Sequence, residues 1–171
     1  KSSAASDVYK RQTVFDFEGN IVEERTQVAV VSDKDKLTEI GVSVFGTLEA
    51  EGIGAEIVSI GTRAVQGCIA CGKCAELGRC VFNDALYDEV REKLAGADAL
   101  VVGSPVYYAG PNGSLCALLD RLFYSCGPML AYKPAAAVAV CRRGGASATF
   151  DRLNKYFTIS NLSLIHISEP T

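Results

Sequence analysis

The sequence is poor in histidine and has no long hydrophobic run. Its single histidine, His166, lies near the C-terminal end, so residues 13–162 contain none. That absence excludes histidine general bases, Ser-His-Asp triads and histidine-ligated zinc from most of the chain. No apolar stretch approaches the roughly 18 residues of a membrane-spanning helix. The net charge of −3 gives no excess of positive charge. We therefore expect neither nucleic acid nor a membrane as a partner.

The two ends of the chain lack the patterns of a folded domain. Residues 1–12 have no amphipathic period, and residues 163–171 (SLIHISEPT) resemble a translated library linker. We expect both to be non-native tails flanking a single domain over residues 13–162. Ordinary frayed termini are the alternative. Seven cysteines without a visible secretion signal favour a reducing, cytoplasmic location.

The middle of the chain alternates between two kinds of apolar pattern. Continuous apolar runs predict strands over residues 27–32, 55–60, 99–103 and 135–141. Apolar residues at helical spacing predict helices over residues 37–51, 85–95, 114–125 and 146–157. Residues 13–25 read as a small hairpin. Strands that alternate with helices imply an α/β fold, a doubly wound parallel sheet covered on both faces.

A compact run of four cysteines is the strongest chemical signal in the sequence. The spacing is C-x2-C-x2-C-x5-C, formed by Cys68, Cys71, Cys74 and Cys80. Iron–sulfur clusters use compact cysteine runs of this kind, so the four thiols are candidate ligands of one 4Fe-4S cluster. Zinc and free, redox-active thiols are the alternatives. We interpret the other cysteines, Cys116, Cys126 and Cys141, as small core residues.

The loop after the third predicted strand has the composition of a ligand-binding loop. Ligands of doubly wound sheets bind at the carboxyl ends of the strands. Ser104 offers a hydroxyl, Pro105 stiffens the turn, and Tyr107 and Tyr108 present flat faces that can stack on an aromatic ring. A turn-rich loop with two surface tyrosines is the alternative.

Three segments carry a resemblance to a known family. They are GSPVYY at residues 103–108, LLDR at 118–121 and CRRGGA at 141–146. They resemble the flavin-binding segments of the NADPH-dependent FMN reductase family, which has a flavodoxin-like fold. The cysteine run lies where the iron–sulfur flavoproteins of that family carry their cluster motif. The resemblance covers residues 27–161, and the family continues into a last strand beyond this point. It therefore implies a flavodoxin-like sheet truncated before or at its fifth strand.

The resemblance also implies a cofactor, FMN, and two loops that hold its isoalloxazine ring. The first loop comprises Ser104, Pro105, Val106 and Tyr107. The second, at the other edge of the ring, comprises Arg142, Arg143, Gly144 and Gly145.

The loop after the first strand departs from the family pattern. The family has a glycine-rich loop there that cradles the FMN phosphate, whereas residues 32–38 read SDKDKLT. Ser32 and Thr38 offer hydroxyls, Lys34 offers charge, and a helix N-terminus can bind phosphate through its amides. Asp33 and Asp35 would repel a dianion, so a solvated, charged turn is the alternative.

Taken with the resemblance, these features predict an FMN-dependent NAD(P)H oxidoreductase. A reduced nicotinamide or a ferredoxin-like protein would donate electrons, and a small molecule such as a quinone, a disulfide or oxygen would accept them. No side chain is assigned as a catalytic acid or base. The alternatives are a non-catalytic redox or metal-binding module of the same fold, and a cysteine-based thiol sensor. A homo-oligomer is expected.

The C-terminal segment has a further consequence for the sheet. Without a native fifth strand, the alanine- and valine-rich run at residues 135–141 would have an unpaired edge. The apolar residues 162–167 (LSLIHI) are predicted to form a short strand beside it, or else two chains pair there.

Overall fold

A computed structural model describes residues 14–15, 21–23, 27–32, 48 and 50–164, and the strands among these residues form two sheets. The small sheet is an antiparallel hairpin of β1 (Val14–Phe15) and β2 (Ile21–Glu23), which confirms the hairpin predicted over residues 13–25. The central sheet contains five parallel strands. They are β3 (Gln27–Ser32), β4 (Gly54–Ser59), β5 (Ala99–Tyr107), β7 (Pro134–Val140) and β8 (Ser163–Leu164).

The order of strands across the central sheet identifies its topology. Neighbouring strands run β4-β3-β5-β7-β8, all of them parallel. Counted along the chain within this sheet, the order is 2-1-3-4-5, which is the flavodoxin-like arrangement. A sixth strand, β6 (Gly110–Pro111), pairs antiparallel with the end of β5. The predicted α/β, flavodoxin-like fold is therefore confirmed.

In the described part of the chain, four helices have defined bounds. They are α1 (Cys74–Leu77), α2 (Ala85–Gly96), α3 (Gly113–Leu130) and α4 (Ala146–Ile159). Asp84 caps α2 by accepting a hydrogen bond from the Tyr87 amide at 3.0 Å, as expected for an aspartate at this position. The helix predicted over residues 37–51 lies mostly outside the described residues. No helix in the described part of the chain is long and apolar enough to cross a membrane.

The larger of two hydrophobic clusters in the described residues joins α2, α3 and α4 to the sheet. Its centre is formed by side chains with almost no exposed surface, among them Leu94, Leu118, Leu153 and Phe157. The Phe123 ring of α3 packs against the Phe157 ring of α4 at 6.1 Å between centroids. Burial of these apolar faces holds the carboxyl ends of the strands in place relative to the helices that follow them.

The last described strand covers one end of the β7 edge. Ser163 and Leu164 pair in parallel with Pro134 and Ala135, so the short strand predicted within residues 162–167 is confirmed. Leu162 is buried, and the Ser163 amide donates to the Lys133 carbonyl at 3.0 Å. Part of the segment interpreted as a non-native tail thus contributes to the sheet.

Candidate functional site

The end of β5 forms a tight hairpin rather than an open loop. Val106 pairs with Pro111 and Tyr107 with Gly110, which leaves a two-residue turn at Tyr108 and Ala109. Both turn residues have positive φ, 51° and 63°, as in the primed turns that fit the twist of a hairpin. The left-handed region disfavours residues with a Cβ atom, so this turn carries backbone strain.

Ala109→Gly is expected to stabilise the protein by about 0.5–1 kcal/mol. Glycine removes the cost of the left-handed conformation, about 1–2 kcal/mol, and part of that gain is offset by the greater freedom of the unfolded chain. Chemical denaturation measures the change. Ala148→Gly, at an exposed position within α4, is the matched control and should destabilise by about 1 kcal/mol. Equal losses in both variants would contradict the assignment of strain to the turn.

Ser104 is fully buried and shapes this hairpin. Its Oγ accepts a hydrogen bond from the Asn112 amide at 2.9 Å and donates to the Pro105 carbonyl at 2.8 Å. Asn112 in turn caps α3, because its Oδ1 accepts from the Leu115 amide at 3.0 Å. The hydroxyl that the sequence offered as a ligand contact is thus engaged within the loop. A direct contact of Ser104 with FMN stays a prediction.

Gly145 brings the second predicted loop against the hairpin. A Cβ atom at this residue would lie 2.8 Å from Ala109 Cα and 2.9 Å from Val106 Cγ1, and its φ is 89°. Only glycine allows this approach. Gly145 precedes α4, while Arg142, Arg143 and Gly144 are exposed beside it. The two loops predicted to hold the flavin ring therefore meet at one place.

Strand β3 ends at the same edge of the central sheet as these two loops. Ser32 is the last residue of β3 and pairs in register with Gly103 of β5 and Ser59 of β4. The backbone leaving β3 therefore starts beside the other two loops. Lys34 and Thr38 lie outside the described residues, and phosphate binding by this loop stays a prediction.

The aromatic side chains of the hairpin face solvent. Tyr107 is 56% exposed and Tyr108 is fully exposed. Exposed apolar side chains mark binding surfaces when they gather at one site. The ring of Tyr107 is thus accessible to a ligand bound beside the hairpin.

All four cysteines of the compact run line one cavity. Its volume is about 140 Å³, and Arg121 and Tyr124 of α3 complete its wall. Cys68 and Cys71 are exposed, whereas Cys74 and Cys80 are partly buried. Four thiols on one cavity wall fit the chemistry of an iron–sulfur cluster. Among the residues that the structure describes, no three potential ligands are close enough to form an assembled metal site. Ligation by the four cysteines therefore stays a prediction.

Two buried side chains at the cavity, Tyr87 and Arg121, have no role assigned to them from the sequence. Tyr87 is fully buried, and its hydroxyl accepts from the Cys80 amide at 2.9 Å and lies 2.6 Å from Ser125 Oγ. Burial raises the pKa of Tyr87, although its hydrogen bonds with Ser125 and Cys80 oppose the shift. Arg121 is buried too. Burial by itself lowers its pKa, but hydrogen bonds to Cys80 and Asp84 outweigh this and the pKa is raised. Both side chains therefore keep their protons.

A second polar cluster joins α3 to α4, away from the cavity. The Tyr156 hydroxyl donates to Asp120 Oδ1 at 2.6 Å, and Arg152 lies 3.6 Å from the same oxygen. Burial, followed by the hydrogen bond to Asp120, raises the pKa of Tyr156. Burial likewise raises the pKa of the nearby Cys116 thiol. Cys126 is buried, while Cys116 and Cys141 are only partly so. Within the LLDR segment, Asp120 therefore belongs to this cluster, whereas Arg121 lines the cysteine cavity.

Comparison with known proteins shows the family of the chain. Residues 38–169 match the family described as NADPH-dependent FMN reductase. The chain belongs to the NADPH-dependent FMN reductase family. Within that family it is 35% identical over 130 residues to an iron-sulfur flavoprotein of Methanocaldococcus jannaschii, covering 74% of this chain and 67% of that protein. It is 32% identical over 118 residues to an iron-sulfur flavoprotein of Methanosarcina thermophila, covering 67% of this chain and 61% of that protein. The chain thus spans about two thirds or less of the length of these relatives.

Solved structures share the fold of this FMN reductase family member at low sequence identity. FerB, a flavoenzyme NAD(P)H:(acceptor) oxidoreductase from Paracoccus denitrificans, has a TM-score of 0.62 at 19% identity, covering 84% of this chain and 77% of FerB. The apo form of an NADH:FMN oxidoreductase, EMOB, has a TM-score of 0.61 at 17% identity, covering 81% and 71%. These similarities support the flavodoxin-like fold.

Proposed function

We propose that this chain is an FMN-dependent oxidoreductase. The observation that carries the proposal is the close approach of Gly145 to Val106 and Ala109, since Gly145 and Val106 belong to the two segments predicted to hold the flavin. Membership of the NADPH-dependent FMN reductase family supports it. FMN, when bound, supplies the transfer of one or two electrons.

The residues of this chain would bind and orient the cofactor. The hairpin, shaped by Ser104, presents the exposed Tyr107 to one side of a ligand, and Arg142 and Arg143 border the other side. Ser32 starts the loop proposed to hold the phosphate, together with Lys34 and Thr38. Since flavins carry out the redox chemistry themselves, this arrangement needs no side-chain acid or base.

We extend the proposal to the electron partners and to the cysteines. The electron donor is a reduced nicotinamide or a ferredoxin-like protein, and the acceptor is a small molecule. Cys68, Cys71, Cys74 and Cys80 would hold a 4Fe-4S cluster, which is supported by their shared cavity and by the names of the archaeal relatives. We also propose that the protein is cytoplasmic and forms a homo-oligomer.

Absorbance of the anaerobically purified chain, followed by FMN titration and NAD(P)H oxidation, tests the proposal. Two visible flavin bands, quenching of FMN fluorescence and consumption of NADPH or NADH with a quinone are expected. A protein that holds iron but neither binds FMN nor oxidises NAD(P)H would instead be a redox module. Zinc in place of iron would indicate a metal-binding module. A chain without flavin or metal, whose exposed Cys68 and Cys71 oxidise reversibly, would favour the thiol sensor.

Tyr107→Ala is expected to weaken FMN binding by about 1 kcal/mol or more, roughly a fivefold rise in Kd. The reason is the loss of ring contact, since aromatic pairs contribute about 0.5–1.5 kcal/mol beyond the area they bury. Fluorescence titration measures the affinity. Tyr132→Ala is the matched control, because Tyr132 is 84% exposed but precedes β7 at its amino end. Unchanged affinity in Tyr107→Ala would move the ring-binding role to another residue.

A further inference from the structure

One guanidinium joins the two ends of the cysteine segment. Nη1 of Arg121 donates to the Gln66 carbonyl at 3.4 Å, and Nη2 donates to the Phe82 carbonyl at 2.9 Å. Gln66 and Phe82 flank the run that contains all four cysteines. Arg121 itself lies in the rigid helix α3. The segment is therefore closed at its base by a side chain from outside it.

The same guanidinium contacts a cysteine sulfur. Nε of Arg121 donates to Cys80 Sγ at 3.3 Å. The cation also lies between two rings, 5.7 Å from the centre of Phe82 and 4.8 Å from that of Tyr87. These contacts fix the orientation of the planar group, so that its N–H edge faces the cavity wall at Cys80.

A buried cation contacts the Cys80 sulfur directly. The Arg121 side chain has no exposed surface and donates to Sγ through Nε, while its counter-ion Asp84 contacts Nη1 of the same guanidinium at 2.5 Å. Charges interact more strongly in a buried setting, so this cation makes the electrostatic potential at Cys80 Sγ more positive. Hydrogen bonds to cluster sulfurs and local net charge are among the factors that set iron–sulfur reduction potentials.

We propose that Arg121 is a positioning residue that closes the cysteine segment and raises the reduction potential of the cluster held by Cys68, Cys71, Cys74 and Cys80. The inference rests on the cluster proposed above. The potential would rise because a hydrogen-bond donor that faces a ligand sulfur stabilises the more negative, reduced state of the cluster. Outer groups of this kind commonly tune metal sites.

Four variants of the full chain, reconstituted anaerobically with iron and sulfide, test the inference. Arg121→Met removes the charge and the donors, and Arg121→Lys keeps the charge but loses the fork that reaches both ends of the segment. Asp84→Asn removes the counter-ion and retains a good helix cap. Arg152→Met is the matched control, since Arg152 pairs with Asp120 in the second polar cluster. Iron and sulfide content are measured, and an EPR-monitored titration gives the potential.

The two charge variants, Arg121→Met and Asp84→Asn, are expected to shift the reduction potential in opposite directions. Arg121→Met should lower it by about 59 mV, a tenfold change in the equilibrium constant for one electron, and should reduce the iron content. The potential of Arg121→Lys should lie between those of Arg121→Met and the wild type. Asp84→Asn should raise the potential, and it decides the matter if Arg121→Met does not fold. Arg152→Met should equal the wild type.

Shifts of the same sign, or a wild-type potential in both charge variants, would overturn the role of Arg121 while the cluster stands. A purely structural role predicts the second of these results: less iron in Arg121→Met, but an unchanged potential in the cluster that forms. A wild-type chain that takes up no iron would overturn the cluster and this inference together. FMN binding would be unaffected in that case, so the failures are distinguishable.

Discussion

Gly145→Ala is expected to lower the free energy of unfolding by about 3 kcal/mol. A left-handed conformation costs a residue with Cβ about 1–2 kcal/mol, and overpacking costs about 1–3 kcal/mol more. The new methyl group would lie within 3 Å of both the backbone of Ala109 and the side chain of Val106. The hairpin or the loop must move to relieve the contact, so FMN affinity should fall at least tenfold as well.

Gly144→Ala is the matched control for this change. A methyl group added at Gly144 would meet no other part of the chain within 4 Å, and the φ of this residue is not in the left-handed region. The stability and FMN affinity of this variant should stay close to those of the wild type. Urea denaturation and fluorescence titration measure both variants. Equal behaviour of Gly144→Ala and Gly145→Ala would mean that the two loops do not need this close contact.

Cys71→Ser is expected to reduce the iron and sulfide bound per chain about tenfold. Thiolate is the soft ligand that iron–sulfur clusters require, and a serine hydroxyl is a poor replacement. Because Cys71 is exposed, the substitution should leave the thermal midpoint of the apo chain nearly unchanged. Metal analysis after anaerobic reconstitution, together with the visible absorbance, gives the result.

Cys116→Ser controls for the loss of a thiol in general. Cys116 is partly buried near Tyr156 and does not line the cysteine cavity. The Cys116→Ser variant should keep the iron content of the wild type. Full iron in Cys71→Ser would contradict ligation by the compact run, and bound zinc without sulfide would favour the alternative metal.

The strands of the central sheet were largely predictable from the sequence. Residues 27–32 form β3 with the predicted bounds, because a buried parallel strand is a continuous apolar run that ends where polar residues begin. β5 is longer than predicted and runs to Tyr107. The composition of residues 104–107 indicates a loop, but Ser104 and Pro105 pair with β7, and Val106 and Tyr107 pair with β6, which extends the strand. Cross-strand contacts of this kind are not encoded in local composition.

The helix after the hairpin shows how packing overrides local preference. A helix was predicted over residues 114–125, yet α3 continues through Gly127 and Pro128 to Leu130. Leu130 has no exposed surface, so its burial favours continuation despite two residues that weaken helices. The partners of Arg121 were unpredictable for a related reason. Cys80 and Phe82 are 41 and 39 residues away along the chain, and only the folded structure brings them to the guanidinium.

α3 also sets the spacing between the two candidate sites. Its cap, Asn112, holds the hairpin through the Ser104 hydroxyl, and nine residues later Arg121 holds the cysteine segment. At about 1.5 Å per residue, these anchor points are roughly 14 Å apart along one helix axis. The helix α3 therefore sets the distance between these two anchor points. Movements within either loop leave the distance between these two anchor points unchanged, so only the parts of each loop beyond its anchor can change the separation of the two candidate sites.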